Sequence, residues 1–99
     1  MDYRIIWSPD ALNHLEHLVR FISRDNPEAA ARLGNDIISK VLLLENFPRL
    51  GKIFREAGRD ALREISVPPY RVFYEINDPG QQIEVISIWH GARSEPEIK

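Results

Sequence analysis

Arg71, His90 and Arg93 are the residues of this chain best suited to chemistry. Two guanidiniums stay charged and offer planar forks, while an imidazole changes charge near neutral pH. Such a set suits holding an anionic ligand or moving a proton. Tyr70 to Ile76 and Ile83 to Trp89 read as adjacent strands, and Asn77-Asp78-Pro79-Gly80-Gln81 between them fits a tight reversal. Antiparallel pairing would set Arg71 beside the far end of its partner, where His90-Gly91-Ala92-Arg93 follows. Arg71, His90 and Arg93 are therefore expected to face one place. The plainer readings are that His90 is a strand-end residue bonded to backbone and that Arg71 pairs with Glu64 or Glu84 across the sheet.

Other chemistries are poorly supplied. With no cysteine in 99 residues, disulfides, thiolate catalysis and Cys-based zinc sites are all removed. His14 and His17 lie three apart on an expected helix, but no carboxylate is clearly placed to join them, so they read as solvated helix residues. Neither a metal nor a cofactor is expected.

A net charge of −2 argues against a protein that works mainly by clinging to nucleic acid, since phosphate neutralisation by Lys and Arg drives such binding. The charges are not evenly spread. Arg49, Lys52, Arg55, Arg59 and Arg63 crowd one loop and strand edge. They form either a local positive patch or a solvated face balanced by Glu56, Asp60 and Glu64.

The elements that must position these groups can be read along the chain. Tyr3 to Trp7 is a short β-favouring run, ended by Ser8-Pro9-Asp10, where a capping hydroxyl, a first-turn proline and an acidic residue start a helix. Leu12, Leu15, Val19 and Ile22 are taken as its apolar stripe, and it should stop near Arg24-Asp25. Asn26-Pro27-Glu28 repeats the start signal, and Ala30, Leu33, Ile37, Val41 and Leu44 share one face until Phe47-Pro48. The short connection forces the helices antiparallel, with Gly34 allowing close approach. Periodicity is lost through Gly51 and Gly58 and returns at Leu62 to Val67, with Arg63, Ile65 and Val67 on one face, before Pro68-Pro69 breaks the strand. In the last strand, Ile83, Val85 and Trp89 are expected opposite Ile86 and Ile88, so both faces are buried in part.

The expected fold is α+β, in the order β-α-α-β-β-β, with a helical hairpin on one face of a small, mainly antiparallel sheet. One domain spans residues 1–99, with 94–99 as a frayed tail. Hydrophobic content of 43% with 28% charged residues suits a soluble globular protein. No apolar run approaches the roughly 20 residues of a membrane span. The acidic start, Met1-Asp2-Tyr3-Arg4, is unlike a signal peptide, so a cytoplasmic location without membrane partners is expected.

Trp7-Ser8-Pro9-x-Ala11, Pro48-x-x-Gly51, Tyr70-Arg71-Val72-x-Tyr74 and His90-x-x-Arg93, in this order over almost the whole chain, resemble the RelE/ParE superfamily of bacterial and archaeal toxins. The resemblance implies the toxin half of a type II toxin-antitoxin pair, neutralised by a cognate antitoxin, through which alone it would meet DNA. RelE-like members look like ribosome-dependent mRNA endonucleases. Under that reading Arg71 and Arg93 hold the scissile phosphate, with Arg63 as the only cation of its strand, and His90 is the general base. Leu62 and Glu64 stand where those nucleases place lysines, and the segment 94–99 lacks their terminal tyrosine. The chain is more similar to the ParE-like branch, whose members are associated with binding DNA gyrase; Arg71, His90 and Arg93 then become target contacts. A third reading is an inactive binding module. Leu12, Leu15, Leu43, Phe54 and Phe73 are the expected partner-facing residues, with simple core packing as the alternative for each.

Overall fold

In the computed structural model, residues 2–54 and 62–91 are described. A strand β1 (Arg4–Trp7) leads into helix α1 (Pro9–Ser23), then helix α2 (Pro27–Leu42) and a 3-10 turn (Leu43–Glu45). Strands β2 (Lys52–Ile53), β3 (Leu62–Val67), β4 (Tyr70–Asn77) and β5 (Gln82–His90) complete the chain order. They form one mixed sheet, β1-β5-β4-β3-β2, in which only the β1–β5 pairing is parallel. Two helices on a mainly antiparallel sheet is the expected α+β arrangement, with β2 added. Two residues are too short a run to show a period.

Both helices begin as their sequences predict. The Ala11 N–H donates to Ser8 Oγ at 3.0 Å and the Ala29 N–H to Asn26 Oδ1 at 3.0 Å, each followed by proline at the first turn. On α1 the buried stripe is Ala11 and Leu18, with Leu15, Val19 and Ile22 half-buried, whereas Leu12 is 51% exposed. The expected stripe was thus rotated at its start: Ala11 is the small residue against the core, and Leu12 turns outward. On α2, Ala30, Ile37 and Val41 are buried. A Cβ on Gly34 would stand 3.3 Å from Val19 Cγ2, so glycine sets how closely the helices approach.

The main core lies between this hairpin and one sheet face, where Leu18, Ile37, Val41 and Leu44 meet Ile65, Val67, Val72, Tyr74, Ile83, Val85 and Ile88. A second cluster of Phe54, Leu62 and Phe73, joined by Ile86 and Trp89, occupies the other face. Phe54 and Phe73 meet edge to face at 5.0 Å.

The two clusters correct the expected parity of β5. Tyr74 pairs with Val85 but Phe73 with Ser87, so a bulge leaves Ile86 as an extra residue. Beyond a bulge the inward and outward positions exchange. Ile88 therefore joins Ile83 and Val85 under the helices, and Trp89 goes to the opposite face with Ile86.

Candidate functional site

The bulge decides the geometry of the expected site. Tyr70 pairs with His90 and Arg71 with Trp89. Paired residues share a face and neighbours along a strand alternate, so His90 stands with Tyr70 on the helix side while Arg71 stands on the far side. The expected convergence of Arg71 and His90 is overturned. Arg93 lies outside the described residues, as do Arg55, Arg59 and the 94–99 tail.

His90 packs its ring edge-on against Tyr70 at 5.2 Å. It lines a cleft of about 440 Å³ with His14, His17, Phe21, Tyr70 and Trp89. Nothing in the spacing along the chain groups the three imidazoles, because only the fold brings α1 to the end of β5. His14 is not simply a solvated helix residue: its Nδ1 accepts the Ile88 N–H at 3.1 Å. A bare Nδ1 fixes the tautomer with hydrogen on Nε2. β1 covers β5 only as far as Val85, and past that point side chains of the α1 segment serve the exposed edge. The Ser8 hydroxyl donates to the Ile86 carbonyl at 2.9 Å, beside the His14 contact. No cluster of three His, Asp or Glu able to hold a metal occurs among the described residues.

On the other face, Arg71 Nη1 donates to Glu64 Oε1 at 3.4 Å, the expected cross-sheet pair, with side-chain exposures of 25% and 8%. The guanidinium also sits 5.4 Å from the Phe73 ring centroid. A polar cavity of about 480 Å³ runs from here round the β2–β3 edge of the sheet to the helix side, lined by Lys40 from the last turn of α2, Lys52 from β2, and Glu64, Ser66 and Arg71. Four charged side chains line it. Sequence reasoning missed Lys40, which is distant along the chain. Lys52, expected in the positive patch, pairs across the strands with Glu64.

Of the other residues of the expected basic patch, the two described, Arg49 and Arg63, point to different places. Arg63 is on the helix-side face of β3 and donates Nη1–H to the Gly51 carbonyl at 2.7 Å, away from Arg71. Arg49 donates to Asp78 at 2.6 Å, and Tyr3 donates its hydroxyl to the same carboxylate at 2.6 Å. These two bonds, Tyr3 first, hold Asp78 below the usual carboxylate range.

Residues 5–95 match the sequence model of the ParE toxin of type II toxin-antitoxin systems, parDE. This chain belongs to the ParE toxin family. It is a toxin of the type II systems within the broader RelE/ParE superfamily. It is similar to a toxin named Y4kP from Sinorhizobium fredii, with 28% identity over 96% of this chain and 95% of the relative. Its fold is shared by the chromosomal ParDE system of P. aeruginosa, at a TM-score of 0.71 and 19% identity, covering 89% of this chain and 95% of the other. A free E. coli RelE mutant gives a TM-score of 0.71 at 20% identity, covering 95% and 88%. The RelBE2 complex of Mycobacterium tuberculosis gives 0.66 at 20% identity, covering 94% and 95%. Both branches share the fold.

Several motif positions of this toxin hold the fold together. The buried Tyr74 hydroxyl accepts the Gly51 N–H at 2.9 Å and donates to the Pro48 carbonyl at 2.8 Å. Pro48-x-x-Gly51 and the tyrosine of Tyr70-Arg71-Val72-x-Tyr74 are therefore one unit. A Cβ on Gly51 would stand 2.6 Å from the Glu64 carbonyl and 2.7 Å from the Tyr74 hydroxyl, so no side chain fits. Burial raises the Tyr74 pKa, opposed by the Gly51 N–H.

The partner-facing expectation divides. Leu12 and Leu43 are 51% and 46% exposed. Leu15 instead packs half-buried against the main core, and Phe54 and Phe73 are buried in the second cluster. Those three present little surface because each fills a layer the sheet must close. Exposed apolar residues that the expectation omitted include Phe21, Leu42, Phe47 and Leu50.

Proposed function

We propose that this toxin acts by binding a protein target, in the manner of the ParE-like branch, with DNA gyrase as the target to test first. The observation that carries the reading is the placement of Arg71 and His90 on opposite sheet faces. A phosphate-holding arginine and a proton-moving imidazole must reach the same scissile group, and catalytic groups act within about 3 Å of the atoms they serve. The far face of β3 presents Leu62, Glu64 and Ser66 beside Arg71, a poor set for stabilising a phosphorane. Arg63, the cation a nuclease would need from this strand, is held by the Gly51 carbonyl. Arg71 then serves in recognition.

One observation favours the nuclease alternative. Glu64, only 7% exposed, places a carboxylate beside Arg71 in a cavity that also holds Lys40 and Lys52. A carboxylate there could take the proton of a 2′-hydroxyl, with ribosome and mRNA as partners. The ParDE and RelBE assemblies that share this fold support a cognate antitoxin as the neutralising partner. Leu12 and Leu43 are proposed among the residues it covers, and the cytoplasm is the proposed location.

Controlled expression in a bacterial host separates the readings. Growth arrest with loss of DNA supercoiling or double-strand breaks, and with intact messages, is expected. New mRNA 5′ ends within coding regions would give the site to the nuclease reading. Unimpaired growth, despite soluble protein, would leave the inert module.

A further inference from the structure

We propose that the cavity between α2, β2 and β4 is a recognition pocket for a carboxylate presented by a protein partner, held by Lys40, Lys52 and Arg71. The proposal deepens the protein-binding reading and rests on it. Three cations from three separate elements and one carboxylate, Glu64, line about 480 Å³, so the lining charge is net positive. Neither lysine makes an ion pair among the described residues. Arg71 spends one Nη on Glu64 at the long distance of 3.4 Å, and its Nε is buried with no hydrogen-bond partner. An unmade bond on a buried charged donor is unfavourable. A small turn of the guanidinium on the Phe73 ring lets an incoming oxyanion take the Nε–H edge of its fork, the geometry arginine uses for carboxylates.

The arrangement suits one anionic group better than a chain of them. The cations converge on a hollow rather than running along the sheet, and Glu64 sits inside it. Arg49 and Arg63, which could have extended the track, are committed to Asp78 and to the Gly51 carbonyl. A phosphodiester strand gains affinity from each successive phosphate neutralised, and among the described residues of this face it would find one such place. An aspartate or glutamate side chain needs no more. The aliphatic edges of Leu50 and Ile65, which also line the cavity, would pack the methylenes of such a side chain.

The test is a titration of the ¹⁵N-labelled full chain, following the Arg71 Nε–H resonance with acetate as the carboxylate probe and sodium chloride as the ionic-strength control. A saturable shift with acetate, absent with chloride, is expected. Lys40→Gln and Lys52→Gln should each weaken the apparent affinity about twofold to fivefold, the range for losing one partly exposed charge, while Arg4→Gln on β1 leaves it unchanged. No saturation beyond the chloride response, or an affinity in both lysine variants unchanged from the parent's, overturns the pocket. A parallel arm uses a short single-stranded RNA. Tighter binding of RNA than of a glutamate-containing tripeptide, lost in the same variants, overturns the carboxylate assignment while keeping an anion pocket. Gyrase inhibition by the Lys40→Gln and Lys52→Gln variants is read separately, so the pocket can fail without the protein-binding reading failing with it.

Discussion

Arg71 and His90, which an unbroken antiparallel pair would place on one surface, lie on opposite faces of the sheet because Ile86 is an extra residue in β5. One inserted residue exchanges inward and outward positions for the rest of the strand. It sends His90 to the α1 cleft and leaves Arg71 with Glu64, Lys40 and Lys52.

The first prediction follows from that separation. Removing a general base costs an enzyme about 10²- to 10⁴-fold, and His90→Gln should show no loss of that size. Toxicity of the variant, measured as the inducer level that halves growth rate, should stay within about tenfold of the parent. Arg71→Gln should weaken toxicity more than His90→Gln, without matching loss of folded protein by circular dichroism.

Tyr74→Phe tests the unit formed by Pro48, Gly51 and Tyr74. The substitution keeps the ring but leaves the Gly51 N–H and the Pro48 carbonyl without the hydroxyl they share. A buried donor left unsatisfied costs about 1–3 kcal/mol, and urea unfolding should report a loss of that order. Gly51→Ala should be at least as damaging, since the added Cβ meets backbone and ring.

His14 makes a separate claim. If its Nδ1 holds the Ile88 N–H, His14→Leu leaves that amide without its acceptor. A loss of about 1 kcal/mol is expected, together with faster hydrogen exchange at Ile88 than at Val72 in the sheet interior. Unchanged exchange at Ile88 would show the contact to be unimportant.

Asp78 gives a pH dependence with a definite sign. Its pKa is depressed in the folded chain by the Tyr3 hydroxyl and then by Arg49. The stabilisation is therefore present above the unfolded carboxylate value, near 3.9, and is lost as pH falls through the lower folded value. Asp78→Asn should flatten the fall in melting temperature below about pH 4 and change little at neutrality beyond a constant offset. An identical acid slope in parent and variant would remove the contribution, which the exposure of the Asp78 and Arg49 side chains already keeps small.

Local signals carried most of the fold. Ser8-Pro9 and Asn26-Pro27 start helices through chemistry contained in a few residues, and the alternation of Tyr70 to Ile76 reports faces that the structure keeps. What failed was non-local. The β5 bulge leaves no mark in a continuous apolar run, so alternation alone predicts the unshifted parity after Val85. Leu12 lost its core place to Ala11, which a search for large apolar residues passes over. Of the site, Arg71 is legible from its strand position, and of the two cross-sheet partners open to it, Glu64 and Glu84, the structure selects Glu64. Lys40 was not, because α2 and β4 meet only in three dimensions.

Purified components show whether this toxin works by binding protein. The protein is added to gyrase acting on relaxed plasmid, and in parallel to a translating extract with a reporter message. Dose-dependent loss of supercoiling with an intact message is the predicted result. Full supercoiling together with a message cut within its reading frame, and protected by Glu64→Gln or Arg71→Gln, would contradict the account and assign the far face of the sheet to RNA cleavage.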